Sequence, residues 1–141
     1  MKHAVIGVIA VFGIPTLAAA QTQPVRVAVD ASIESNDVVG NRLVYAVKEQ
    51  LRKSQAFRLM TETDSAAIVL RIVTLDPDQS IESVPHGARS VASIVWTVKA
   101  VYWTHEVMVT GSDRVQERAE DIVADTDRIV DAIRKTITTK Q

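Results

Sequence analysis

Ala66 to Leu75 reads AAIVLRIVTL. Only Arg71 and Thr74 interrupt its apolar run, and much of the rest is β-branched. Such side chains are stiff at χ1 and pack well on a pleated surface, so the run predicts a strand. Apolarity on both of its faces places that strand inside a sheet. Asp76-Pro77-Asp78 stops it, because proline has no amide to give to a ladder.

Upstream, Val25 to Val29 (VRVAV) alternates with period two and predicts a first strand. Asp30 to Ser35 reads as a polar connection, and Ser35 or Asn36 can cap a helix. The helix, Asp37 to about Ser54, sets Val39, Leu43, Val47 and Leu51 at helical spacing, with Glu49, Arg52 and Lys53 on its wet side. Phe57 to Met60 is a short second strand, and Thr61 to Ser65 a polar turn.

Downstream, Asp76 to Ala88 (DPDQSIESVPHGA) is the longest connection, punctuated by Pro77, Pro85 and Gly87. Arg89 to Trp103 reads as one long strand. Its core face is Ala92, Ile94, Trp96, Val98, Ala100 and Tyr102. Its opposite face is Val91, Ser93, Val95, Thr97, Lys99, Val101 and Trp103. Thr104-His105 reads as a reversal, and Glu106 to Thr110 as the returning strand. A final helix carries Ala119, Ile122, Val123, Thr126, Ile129, Val130, Ile133 and Ile137 on one stripe. Acidic residues near its start and basic ones near its end suit the helix dipole.

The expected fold class is therefore α+β. It is a two-layer α/β sandwich with a mixed, mostly antiparallel sheet in the order β-α-β-β-β-β-α. Each helix has one apolar stripe, so both should lie on one face of the sheet. The first helix supplies the crossover that pairs strands one and two in parallel, and the hairpins are antiparallel.

Residues 1–20, MKHAVIGVIAVFGIPTLAAA, place the protein in the cell. Lys2 gives a positive start, Ala4 to Ile14 are apolar, and Ala18-Ala19-Ala20 offers small residues before Gln21. That is the layout of a secretory signal peptide, with an uncleaved anchor as the alternative. The expected organisation is a signal peptide at 1–20 and a single α/β domain at 21–141. There are no cysteines, which removes disulfides, thiolate metal sites, a Cys nucleophile and a lipoprotein anchor. Exported and disulfide-free, the chain is expected to be soluble in a bacterial periplasm. Its formal net charge is −1 with the signs mixed, so no electrostatic footprint for nucleic acid appears. No stable membrane insertion is expected after cleavage.

Three strings carry a resemblance. They are EQLRKSQAFRLM (Glu49 to Met60), SAAIVLRIV (Ser65 to Val73) and VTGSDRVQERAEDIVADTDRIVDAI (Val109 to Ile133). With the order of elements, they make most of residues 21–141 resemble the amino-terminal domain of the periplasmic TolB family. The resemblance implies a non-enzymatic periplasmic module that binds other proteins. The family pattern has no catalytic residues to carry over, and its β-propeller is not implied here.

Candidate sites are few. His86 lies near Asp76, Asp78 and Glu82, but no paired-His or twelve-residue calcium spacing accompanies them, so a polar loop is the expectation. Ser90, Ser93 and His105 lack a Gly-x-Ser-x-Gly elbow, so no nucleophile is assigned. Glu117, Glu120, Asp121, Asp125 and Asp127 scatter around a helix, as a solvated face does. No catalytic residue, cofactor or metal is expected. The distinctive feature is the face opposite the helices, where Val91, Val95, Thr97, Lys99, Val101 and Trp103 are the candidate partner-binding residues, with Val69 or Val73 joining them according to register. The expected function is protein–protein contact, with an envelope protein or another copy. The alternative is a small ligand or cell-wall fragment held by the loop at 76–88.

Overall fold

In the computed structural model, which describes residues 23–138 apart from 83, 84 and 100, the β-branched run forms the middle strand of a five-stranded sheet. The strands are β1 (Val25–Ile33), β2 (Phe57–Met60), β3 (Ile68–Leu75), β4 (Arg89–Val98) and β5 (Val101–Gly111). The helices are α1 (Val38–Lys53) and α2 (Val115–Thr138). The signal-peptide expectation for 1–20 lies outside the described residues.

Across the sheet the order is β2-β1-β3-β4-β5. β1 pairs with both β2 and β3 in parallel, and β3-β4 and β4-β5 are antiparallel with the longer ladders. One core cluster joins α1 (Val39, Leu43, Val47, Leu51) and α2 (Ala119, Ile122, Val130) to the inward side chains of the sheet. Both helices therefore share a face, and the α/β sandwich has two layers. Trp96 is its largest fully buried side chain. Its indole Nε1 donates to Thr126 Oγ1 at 3.0 Å, and that hydroxyl donates to Ile122 O at 2.8 Å. The one polar atom of the indole is thus satisfied, and α2 is keyed to β4.

Four local expectations are corrected. β1 continues through the supposed polar connection to Ile33, because Asp30 and Ser32 are exposed while Ala31 and Ile33 pack against the core. Asp30 there pairs with Arg71 across the ladder at 3.7 Å. Next, residues 61–67 form a second parallel crossover, since β2 and β3 flank β1. This connection moves across the sheet opposite to the first, so crossovers of the same hand must lie on opposite faces. The outward-facing Ala28 is only 1% exposed, and the short 3₁₀ helix Thr63–Ser65 within this connection lies against β1.

The long strand read as Arg89 to Trp103 is in fact a hairpin. Lys99 adopts φ 49° at its turn, and Val101 to Gly111 is one continuous strand with no reversal at Thr104-His105. Two-residue hairpin turns need positive φ, usually announced by Asn-Gly or Asp-Gly. Here the two residues between Val98 and Val101 in the sequence are Lys and Ala, so the announcement is absent.

Finally, α1 is capped by Asp37 rather than Ser35 or Asn36. Asp37 Oδ1 accepts from Gly40 N at 2.7 Å, and Oδ2 accepts from Ser90 Oγ at 2.6 Å. A carboxylate only 2% exposed thus ties the start of α1 to β4. A Cβ at Gly40 would fall 2.2 Å from both Asp37 Oδ2 and Thr74 Oγ1. Gly40→Ala should therefore push the cap apart and destabilise the fold by at least about 2 kcal/mol, read from urea unfolding. A stability unchanged from the parent would show that this approach is not tight.

Candidate functional site

Ladder register fixes which side chains share the bare face. In a sheet, alternate residues point to opposite sides, and directly paired residues point to the same one. Leu75, Val91 and Val109 form one outward row across β3, β4 and β5. Val73, Ser93 and Val107 form the next, and Arg71, Val95 and His105 the one after. Val69, Thr97 and Tyr102 follow.

Two of these rows hold open apolar side chains, with Ser93 the one polar residue between them. Val73 is 52% exposed, Leu75 45%, Val107 62% and Val109 55%. Scattered exposed valines are ordinary, but adjacent rows on three strands make a contiguous patch. Arg71 and His105 border it on one side. β5 is also an edge strand, so one side of its backbone has no neighbour within the sheet.

The expected partner-binding residues divide. Val91, Val95 and Thr97 are half-buried and lie on the outward face of β4, as expected. Lys99 occupies the hairpin turn instead of a strand. Val101 pairs with Val98, whose side chain packs toward the helix layer, so Val101 leaves the patch. Trp103 is the extra residue where the β4-β5 register shifts. A bulge of this kind bends an edge strand and discourages further pairing there. Of the two optional residues, Val73 joins the open face, while Val69 is 9% exposed. Sequence reasoning missed Leu75, Val107 and Val109. The alternation of Val107 and Val109 with Met108 and Thr110 was a usable signal, but the misplaced turn hid which strand they faced.

The other candidates resolve into structural roles. Asp76 Oδ1 accepts from Asp78 N at 2.9 Å, and its Oδ2 accepts from Gly87 N at 2.9 Å. Asp78 receives Arg89 at 2.7 and 2.6 Å on its two oxygens. Both carboxylates therefore hold the 76–88 loop closed on itself instead of facing a ligand. His86 is exposed, and no group of three metal-ligating side chains is brought together among the described residues. His105 sits within β5, with Nδ1 2.8 Å from Tyr102 Oη. Ser90 is fully buried against Asp37. Arg114, just before α2, pairs with Glu117, and Arg118–Asp121 and Arg128–Asp125 pair along the solvent face of the helix. Arg114, hydrogen-bonded to Glu117, holds that carboxyl below its ordinary value. A groove of about 580 Å³ between the starts of α1 and α2 holds Ser35, Asn41, Arg42 and Asp113, with no paired nucleophile and base.

No protein-family model matches this chain, and no curated protein matches it in sequence. Among the described residues no helix is long and apolar enough to cross a membrane.

Two outcomes test this geometry. Val107→Thr and Val109→Thr remove exposed methyls only, so each should change unfolding free energy by less than about 0.5 kcal/mol. A loss several times larger would mean these valines are covered within the fold. Separately, the hydrogen bonds from Arg89 hold the Asp78 carboxyl below the ordinary aspartate range. A depressed folded value adds stability above the unfolded pKa of about 3.9, and that stability is lost as pH falls through the folded value. In urea unfolding, the gap between the parent and Arg89→Met should therefore narrow as the pH is lowered below about 4. A gap that stays constant down that acid limb would contradict the pairing.

Proposed function

We propose that this protein is exported to the periplasm and acts there through protein contacts, without catalysis. It serves as an accessory subunit of an envelope assembly or as a self-assembling module. The observation that carries this reading is the bare sheet face. Leu75, Val91 and Val109, beside Val73 and Val107, give a flat apolar surface with no cover from either helix. Covering such rows with a partner removes apolar area from water, at roughly 25 cal/mol per Å² before the costs of association.

The signal-like residues 1–20 support export, and the resemblance of three strings to the TolB amino-terminal domain supports a protein-binding role. The loop alternative is weaker, because Asp76 and Asp78 already have internal partners. A photo-crosslinking residue at Thr97, in whole cells, tests the proposal. It should give a discrete adduct with a second copy or with another protein, and the same probe at Arg128 on α2 should not. Equal, diffuse labelling from both positions would overturn the assignment.

A further inference from the structure

β1 is nine residues long, but its neighbour β2 is only four. Their pairing ends at Ala28 and Met60. The chain then leaves the line of β2, crossing to β3 through residues 61–67, and among the described residues no strand pairs with the rest of β1 on that flank. Two backbone bonds set the phase. Val25 N donates to Ala56 O on the β2 side at 2.9 Å, and Arg26 O accepts from Ala67 N on the β3 side at 2.9 Å. In a parallel ladder the amide and carbonyl of one residue point the same way, and the direction alternates along the strand. Ala31 and Ile33 therefore aim both groups at the vacant flank. Backbone groups left open in this way are what an added strand satisfies.

Where β2 ends, a groove of about 570 Å³ leads to this flank, lined by Val29 of β1, Met60, Thr61 and Arg58 at the end of β2, and Lys48 and Arg52 of α1 among others. Three cations and no acid line it. Arg52 is paired with Glu49, while Lys48 and Arg58 have no ion pair among the described residues. The ends of this chain do not match that charge. Residues 1–24 contain Lys2 and no Asp or Glu, and residues 138–141 contain Lys140 and no Asp or Glu.

We propose that the notch beside Val29 to Ile33 receives an extended acidic segment of another protein. The segment would continue the line of β2, hydrogen-bond to Ala31 and Ile33, and place carboxylates on its helix side against Lys48 and Arg52 of α1. This surface lies on the edge opposite β5, so the inference stands apart from the docking face proposed above.

The test is fluorescence anisotropy with a labelled peptide of alternating Val and Glu, its Val and Lys counterpart, and a Val and Glu version N-methylated at alternate residues. The acidic peptide should bind at least tenfold more tightly than the basic one. The double variant Lys48→Glu/Arg52→Glu, with its melting temperature checked, should lose that preference. N-methylation should abolish binding, which separates strand addition from simple charge attraction. Val107→Glu should leave binding unchanged. The proposal is overturned by an acidic peptide that fails to bind, or that binds equally well after charge reversal or N-methylation. It is overturned too if Val107→Glu removes binding, because the site would then be the outward valine rows.

Discussion

Both helices bury their single apolar stripes on the same side of the five-stranded sheet, and that one-sided cover shapes the rest of this molecule. Leu43 and Leu51 of α1 and Ile122 and Val130 of α2 enter the same core as Leu70, Ile94 and Trp96. The other side is left to the pleat. Where it is polar, Asp30 and Arg71 answer each other across the ladder. Where it is apolar, at Val73, Leu75, Val107 and Val109, nothing among the described residues answers it. The functional proposal follows from this asymmetry.

The layers are held in place by a few buried polar contacts, and these occupy several of the polar side chains that the sequence singles out. Asp37 is fixed by the amide of Gly40 and the hydroxyl of Ser90, so it docks the start of α1 on the sheet. Trp96 and Thr126 do the same for the middle of α2. Asp76 and Asp78 fold the long loop onto β4 through Gly87 and Arg89. Buried groups of this kind contribute modestly when paired and cost more when left alone, so each partner matters more than its distance suggests. In every case the side chain that could have served chemistry is occupied in positioning an element.

Much of the fold was legible because apolar periodicity is a direct record of burial. AAIVLRIVTL announced a central strand, and both helices announced their single stripes. What was not legible depended on pairing. The sequence between Val98 and Val101 carries no Gly or Asn to announce the positive φ at Lys99, so two strands read as one, and a false reversal fell at His105. Asp30 and Ser32 looked like a loop because the sequence does not say that one side of β1 is bare. The candidate surface suffered from the same error. Val91, Val95 and Thr97 were placed on the correct face, whereas Val101 and Trp103 were assigned by an alternation that the hairpin and its bulge interrupt. The vacant flank of β1 could not be read at all, because it is the difference in length between two strands that meet only in three dimensions.

Covalent footprinting of side chains with a photoactivated carbene, in intact cells and on the purified protein, tests the central claim most directly. The account predicts strong labelling of Val73, Leu75, Val107 and Val109 in the purified protein and clear protection of the same residues in cells. Arg128 and Asp131 on the outer side of α2 should label alike in both. Equal labelling of the four apolar residues in cells and in isolation would contradict the claim that this face is where the protein meets its partner.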